Sequence, residues 1–198
     1  MLANVLQATY LVTDVLENMG INYAVCGSLA SSAHGMIRTT MDVDLIADLR
    51  QEHVSMFVAM LEGSFFIDDE MIRSSIEHHR SFNIIHLESM FKVDIFTPTQ
   101  RVFDQNQLSR RQETKLGKEQ IRLFILSPED IVLAKLEWYR LGGEVSDQQW
   151  RDILGVLLIK QDQLDRDYMQ KMADQMNTTD LLERAFQEVR SSTNLLSK

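Results

Sequence analysis

The sequence contains little cysteine and proline and no long apolar run. Its 198 residues include one cysteine and two prolines, so no intramolecular disulfide can form, and a reducing compartment is favoured. No apolar stretch approaches the roughly 20 residues that a membrane-spanning helix needs. Residues 1–20 lack a positively charged start and carry Asp14 and Glu17, which is not the pattern of a signal peptide. We therefore expect a cytoplasmic protein that does not contact a membrane.

Basic residues are also fewer than acidic ones. Twenty basic residues against 29 acidic residues give a net charge of −9, which argues against broad gripping of a nucleic-acid backbone. The segment 101–122 is the exception, because it contains six basic residues and only three acidic ones. The basic residues are Arg101, Arg110, Arg111, Lys115, Lys118 and Arg122. A solvated hairpin and an RNA-binding surface both explain this segment.

What remains is the composition of an ordinary globular protein, 44% hydrophobic and 25% charged. An amphipathic helix is predicted over 2–19, then short strands and helices up to residue 126. From Ser127 the pattern is helical only, and SPED begins it with an N-cap serine, a first-turn proline and two acids. The prediction is an α+β fold with a mixed β-sheet core and flanking helices over 1–126, and a C-terminal helical subdomain packed on it over 127–198.

The predicted strands are short and separated by turn residues. They cover residues 21–27, 41–47, 65–67, 81–88, 90–97 and a pair within 112–126 that turns at Gly117. The strands 81–88 and 90–97 lie close enough in the chain to pair as a hairpin. No helix or strand is predicted for the polar segment that ends at His79. Cys26 lies in an apolar run and is interpreted as a small core residue.

Two acids in one predicted strand are the most informative feature. Asp42 and Asp44 stand two residues apart within 41–47, so they project from the same face of that strand. Like charges side by side are costly unless a cation neutralises them. With oxygen ligands only and no His or Cys cluster, Mg²⁺ or Mn²⁺ is favoured over zinc. The alternative is a solvated edge strand.

A third acid lies in the sequence FKVDIF. There Phe91, Val93 and Ile95 alternate with Lys92 and Asp94, so a single acid again sits in the middle of a strand that is otherwise apolar on one face. If the strand 90–97 lies beside 41–47, Asp94 completes a cluster of three carboxylates. Such a cluster can hold two metal ions that clamp the attacking and leaving oxygens of a phosphoryl displacement.

The residues before the acids suit an anion. Gly27 lets the backbone approach a ligand closely, and Ser28 begins a short predicted helix whose free N–H groups favour negative charge. Ser28 could equally be a simple helix cap. Arg38, in the turn before the acidic strand, could bind phosphate or hold an acid.

These residues resemble a known superfamily. The string GSLASSAHGMIRTTMDVDLI, followed later by FKVDIF, resembles the nucleotidyltransferase superfamily that includes DNA polymerase β. Together with SPEDIVLAKLEWYRLGG and WRDILGVL, it is similar to bacterial stand-alone nucleotidyltransferases, including the abortive-infection type toxins. The resemblance implies metal binding by Asp42, Asp44 and Asp94, and contacts of Gly27 and Ser28 with the triphosphate of an NTP. It also implies transfer of a nucleoside monophosphate with release of pyrophosphate.

In the toxin-like relatives a lysine and an acid from the helical half also contribute to the nucleotide site. The resemblance implies this role for Lys135 and Asp152. The residues themselves leave alternatives open. Lys135 has apolar helical neighbours and could extend its ammonium past them to water. Asp152 could pair with Arg151 or Lys135.

The sequence leaves the acceptor open among RNA, protein and small molecules. An interpretation from another class is a non-catalytic nucleotide-binding or interaction component of a toxin–antitoxin-like system, with a cognate antitoxin-type protein as its partner. The presence of all three acids favours the enzyme.

Overall fold

The computed structural model describes residues 2–34, 42–118 and 120–196. In this part of the chain the fold is α+β, as predicted, with a mixed sheet of seven strands. The strands are β1 (Tyr23–Cys26), β2 (Asp42–Ala47), β3 (Phe65–Phe66), β4 (Phe82–His86), β5 (Lys92–Phe96), β6 (Gln112–Leu116) and β7 (Ile121–Ile125). The helices are α1 (Leu2–Asn18), α2 (Gly27–Ala33), α3 (Val54–Leu61), α4 (Asp69–Glu77), α5 (Val102–Ser109), α6 (Pro128–Leu141), α7 (Asp147–Lys160), α8 (Arg166–Gln175) and α9 (Thr179–Leu196).

The described residues form two compact units, one of 2–30 and 42–126 and one of 31–34 and 127–196. The first unit contains the sheet, in the order β3-β4-β5-β2-β1-β7-β6. Strand β2 lies between β1, to which it is antiparallel, and β5, to which it is parallel. The predicted hairpins are confirmed, since β4 pairs with β5 and β6 with β7, both antiparallel.

One face of the sheet forms the core of the first unit. Val43 and Leu45 of β2 and Val93 and Ile95 of β5 are fully buried, whereas the residues between them are at least partly exposed. This is the alternation expected of strands that are covered on one side. Helix α1 contacts β2, β7 and α3, and its apolar residues, including Leu16, are buried. The other face is therefore where polar side chains can gather.

One segment differs from the prediction. The polar residues up to His79 include helix α4, which the sequence analysis did not assign. Asp68 caps this helix by accepting a hydrogen bond from the Met71 N–H. Only Ile72 of the helix is fully buried, and six of its nine residues are polar or charged, so the segment reads as a polar stretch although its few apolar residues, such as Ile72 and Ile76, lie at helical spacing.

The second unit is helical. Helices α6, α7, α8 and α9 contact one another, and Ser127 caps α6 as predicted, accepting from the Asp130 N–H. Asp130 also accepts a hydrogen bond from the Tyr168 hydroxyl at 2.6 Å, and Glu129 accepts one from the Asp165 N–H at 3.0 Å. The start of α6 is thus fixed to the start of α8 by two buried acids.

None of the helices in the described ranges combines the length and the apolar character needed to cross a membrane.

Candidate active site

The strand order brings the predicted acids together. Strands β2 and β5 pair in parallel, with Asp44 opposite Asp94 and Asp42 opposite Lys92, so the predicted adjacency of the two strands is confirmed. Partners in register project to the same side of a sheet. Asp42, Asp44 and Asp94 therefore share one face of the sheet, opposite the face that carries the fully buried residues of β2 and β5. Their roles as metal ligands remain a prediction.

The row continues into the neighbouring strands. Cys26 of β1 lies opposite Asp44, and Asn83 of β4 lies opposite Asp94. Cys26 is half-buried and faces the acids, so its interpretation as a core residue was wrong. Neither residue could be placed at the acids without the strand register.

A lysine interacts with all of the acids. The Lys92 ammonium lies 2.8 Å from Oδ2 of Asp94, and the Asp94 side chain is 18% exposed. The pKa of Lys92 is raised, chiefly by the hydrogen bond with Asp94; burial opposes this, and the charges of Asp94, Asp42 and Asp44 add to it. The positive charge of Lys92 is therefore stabilised by carboxylates of both β2 and β5. The alternation in FKVDIF put Lys92 on the face of Asp94, but nothing in the sequence pattern indicated a role for it.

Gly27 lies against one of these carboxylates. It is the first residue of α2, one position earlier than predicted, and its φ is +59°. A Cβ atom at this position would lie 1.9 Å from Oδ2 of Asp44. Only glycine therefore lets the turn from β1 into α2 pass so close to Asp44. Ser28 follows in the first turn of α2, and the contacts of both residues with phosphate remain a prediction.

Arg38 belongs to the segment 35–41, outside the described residues, so its predicted role is likewise untested.

Lys135 and Asp152 meet within the helical unit. The Lys135 ammonium lies 2.9 Å from Oδ2 of Asp152, and their side chains are only 12% and 6% exposed. Of the two partners considered for Asp152, the structure selects Lys135. A buried ion pair of this kind leaves an uncompensated charge if either partner is removed. Nucleotide binding by the two residues remains a prediction.

The donor chemistry of the acid face fits a hard divalent cation. Carboxylate oxygens are the ligands that Mg²⁺ and Mn²⁺ prefer. Across residues 2–34, 42–118 and 120–196, no three His, Cys, Asp or Glu side chains already converge as a metal site. An oxygen of Asp94 is instead held by Lys92. The acids are thus brought to one face by the backbone, and convergence on one ion requires their side chains to turn.

The arginines of segment 101–122 have partners within the protein. Arg101 pairs with Asp104 at 2.7 Å. Arg122 pairs with Glu17 at 2.8 Å, and Arg111 stacks over the Phe124 ring, 4.8 Å from its centroid. Only part of the segment is the predicted hairpin, because residues 102–109 form helix α5 and β6 with β7 forms the hairpin. The internal contacts favour a structural role for these arginines. RNA binding by the segment remains untested.

Asp104 gives a testable pH dependence. Burial acts to raise its pKa, but hydrogen bonds from Arg101 and Thr99 outweigh it, and the pKa is lowered. The folded state therefore binds the proton less readily, so the stabilisation is complete above the unfolded pKa of about 4 and is lost as the pH falls through the folded pKa. We expect Asp104→Asn to lower the free energy of unfolding by about 1–3 kcal/mol at pH 7. Urea denaturation should show this deficit shrinking below about pH 4.

The control for that measurement is Asp48→Asn, because the ion pair of Asp48 with Arg50 is exposed. A deficit of Asp104→Asn that stays constant down to pH 3 would contradict the assignment.

Comparison with known proteins agrees with this architecture. A family model described as a nucleotidyltransferase of unknown function (DUF6036) matches residues 2–193. A search of curated proteins returns no match by sequence.

Several solved structures share the fold. An antigenic nucleotidyltransferase-like protein from Paracoccidioides brasiliensis is similar with a TM-score of 0.55 and 17% identity, over 92% of this chain and 91% of that one. The antibiotic-resistance factor ANT(2'')-Ia, in complex with adenylyl-2''-tobramycin, gives a TM-score of 0.56 and 9% identity over 88% and 97%. The lincomycin-bound lincosamide antibiotic adenylyltransferase LnuA gives 0.50 and 16% over 76% and 94%. At these identities the likeness shows the fold alone.

The resemblance to the nucleotidyltransferase superfamily is thereby confirmed. Since the family model spans residues 2–193, the chain belongs to the nucleotidyltransferase family DUF6036.

Proposed function

We propose that this protein transfers a nucleoside monophosphate from an NTP to a hydroxyl-bearing acceptor, using a divalent cation, Mg²⁺ or Mn²⁺, held by Asp42, Asp44 and Asp94. The observation that supports this most is the parallel register of β2 and β5, in which Asp44 faces Asp94. A sheet gains nothing in stability by aligning carboxylates on one face, whereas a cation site needs this arrangement.

The order of the strands suggests how the substrates are arranged. Strand β1 and the turn at Gly27 lie on one side of β2, and β5 with Asp94 lies on the other. A triphosphate at Gly27 and Ser28 would place its α-phosphate toward Asp42 and Asp44. The acceptor would then approach from the side of Asp94, in line with the leaving group.

The chemistry assigned to the residues follows from these positions. The acceptor oxygen forms a bond to the α-phosphorus, the bond from that phosphorus to the bridging oxygen breaks, and pyrophosphate leaves. In this proposal Asp94 orients the attacking hydroxyl and takes its proton. When bound, a divalent cation neutralises charge on the transferring phosphoryl group. Lys135 and Asp152, which form an ion pair with each other, are kept as proposed contributors to nucleotide binding.

ATP is the donor to test first, because two of the structurally similar proteins are adenylyltransferases or hold an adenylylated product. The bound molecules of those proteins, lincomycin and adenylyl-2''-tobramycin, bring a small molecule into consideration here. The internal pairing of Arg101, Arg111 and Arg122 weakens the case for RNA. The single cysteine remains the basis for proposing a cytoplasmic location.

The test is a transfer assay with ATP labelled at the α- or the γ-phosphate. The protein and Mg²⁺ are incubated with separated RNA, protein and small-molecule fractions of a cell extract. We expect α-label, and not γ-label, to appear in one fraction while pyrophosphate is released. Binding of Mg-ATP without transfer to any fraction would favour the non-catalytic interaction component, with an antitoxin-type partner, over the enzyme.

A further inference from the structure

The acid face carries a fixed positive charge that the reaction as proposed does not use. Lys92 lies opposite Asp42 in the strand register, and its ammonium is 2.8 Å from Oδ2 of Asp94, the strand partner of Asp44. Lys92 thus shares one face of the sheet with all three acids proposed as metal ligands and forms an ion pair with one of them.

We propose that Lys92 is a positioning residue that competes with the divalent cation for Asp94 and so keeps the affinity of the acid face for a bare cation low. This inference rests on the proposed function, because it takes Asp42, Asp44 and Asp94 as the cation ligands.

The Lys92 ammonium and a divalent cation would both need the same oxygen, Oδ2 of Asp94. A cation held by Oδ2 of Asp94 must replace the Lys92 ammonium or share the carboxylate with it. The backbone of Lys92 belongs to β5, two residues from Asp94 on the same face of the sheet. The ammonium therefore remains near the acids even when a cation displaces it from Asp94. Coulomb repulsion between it and the bound cation then continues to act over a few ångströms.

Charge balance gives the direction of the effect. Three ionised carboxylates contribute −3, and Lys92 reduces this to −2. Replacing Lys92 by a neutral side chain restores the full negative charge, and a bare divalent cation should bind more tightly. A cation that arrives with a nucleotide differs, because the triphosphate is itself an anion that the ammonium attracts. Lys92 therefore favours loading of the cation together with the nucleotide.

A purely structural ion pair would behave differently. The Lys92 side chain is 41% exposed, and exposed pairs contribute little to stability. If Lys92 served only the stability of the sheet and took no part in cation binding, its removal would leave the affinity for both bare Mn²⁺ and Mn-ATP unchanged. The competing role instead predicts that only the bare cation binds more tightly.

The experiment measures binding of Mn²⁺, alone and as Mn-ATP, to the full chain, with free Mn²⁺ followed by electron paramagnetic resonance. We expect Lys92→Met to bind bare Mn²⁺ about tenfold more tightly than the parent, about 1.4 kcal/mol, and to bind Mn-ATP no more tightly. The matched control is Lys115→Met, which removes the same charge from the exposed surface of β6, opposite Arg122. It should leave the affinity for Mn²⁺ within twofold of the parent.

A second variant guards against misfolding. Lys92→Arg keeps the charge and can grip Asp94 with two hydrogen bonds, so its affinity for Mn²⁺ should equal the parent's or fall below it. Folded Lys92→Met with unchanged or weaker Mn²⁺ binding overturns the inference, as does an Arg variant that binds more tightly than the parent.

The same titration separates this inference from the proposed function. If the parent binds Mn²⁺ no better than Asp42→Asn with Asp44→Asn, the proposed metal site itself fails. If the parent binds through these acids and Lys92→Met binds no more tightly, only the role of Lys92 fails.

Discussion

Asp94→Asn is expected to lower kcat for nucleotidyl transfer by about 10³-fold, about 4 kcal/mol of transition-state stabilisation, while affinity for Mg-ATP stays within about tenfold of the parent. The reason is its place in the sheet. Asp94 lies on β5, on the opposite side of β2 from β1 and Gly27, so it faces the proposed acceptor more than the triphosphate. Asparagine keeps the shape of the side chain but cannot accept the proton of the attacking hydroxyl.

Single-turnover transfer and calorimetric binding of Mg-ATP together measure this separation. Asp48→Asn is the matched control, because Asp48 follows β2 directly and its ion pair with Arg50 is exposed. It should transfer at the parent rate. An Asp94→Asn protein that transfers at more than about a tenth of the parent rate would remove Asp94 from the chemistry.

Gly27→Ala is expected to weaken Mg-ATP binding about 100-fold, about 2.7 kcal/mol. The new Cβ would lie 1.9 Å from Oδ2, 2.7 Å from Cγ and 3.0 Å from Cβ of Asp44. The side chain of Asp44 therefore has to turn away, and the proposed site loses a carboxylate without any acid being replaced.

The chain contains a matched control for this substitution. Gly20 also has a positive φ, +68°, but a Cβ there would meet nothing within 4 Å. Both alanine variants carry the backbone strain of about 1–2 kcal/mol, which urea denaturation measures. Only Gly27→Ala carries the displacement of Asp44, so Gly20→Ala should bind Mg-ATP like the parent. Equal binding by the two variants would show that the closeness of Gly27 to Asp44 has no bearing on the nucleotide.

Local patterns predicted the parts of this fold that have a strong period. Strict alternation identified β2 and β5 and set Asp42, Asp44 and Asp94 on the polar face. The N-cap of α6 at Ser127 and the hairpin turn at Gly117 were also predicted from the sequence. Helix α4 was not assigned, because most of its residues are polar or charged. The acidic helix start at Asp68, Asp69 and Glu70 could have revealed it.

What the sequence could not predict depends on contacts between distant segments. The position of Cys26 opposite Asp44 follows from the pairing of β1 with β2. The closeness of Gly27 to Asp44 follows from the same pairing, which sets the end of β1 beside Asp44. The pairing of Lys135 with Asp152 selects one of two partners that the sequence permitted. Lys92 is different, since its alternation with Asp94 was visible and only its interaction with all of the acids was not.

The most direct test of the proposed function is a calorimetric titration of Mg-ATP into the parent and into Asp42→Asn with Asp44→Asn. The control pair is Asp48→Asn with Asp69→Asn, which makes the same change of charge at two partly exposed acids that form ion pairs. We predict binding by the parent and the control that disappears with EDTA, and a loss of at least about 100-fold in the Asp42 and Asp44 variant. If that variant binds Mg-ATP as tightly as the parent, the acids of β2 do not form the nucleotide and metal site.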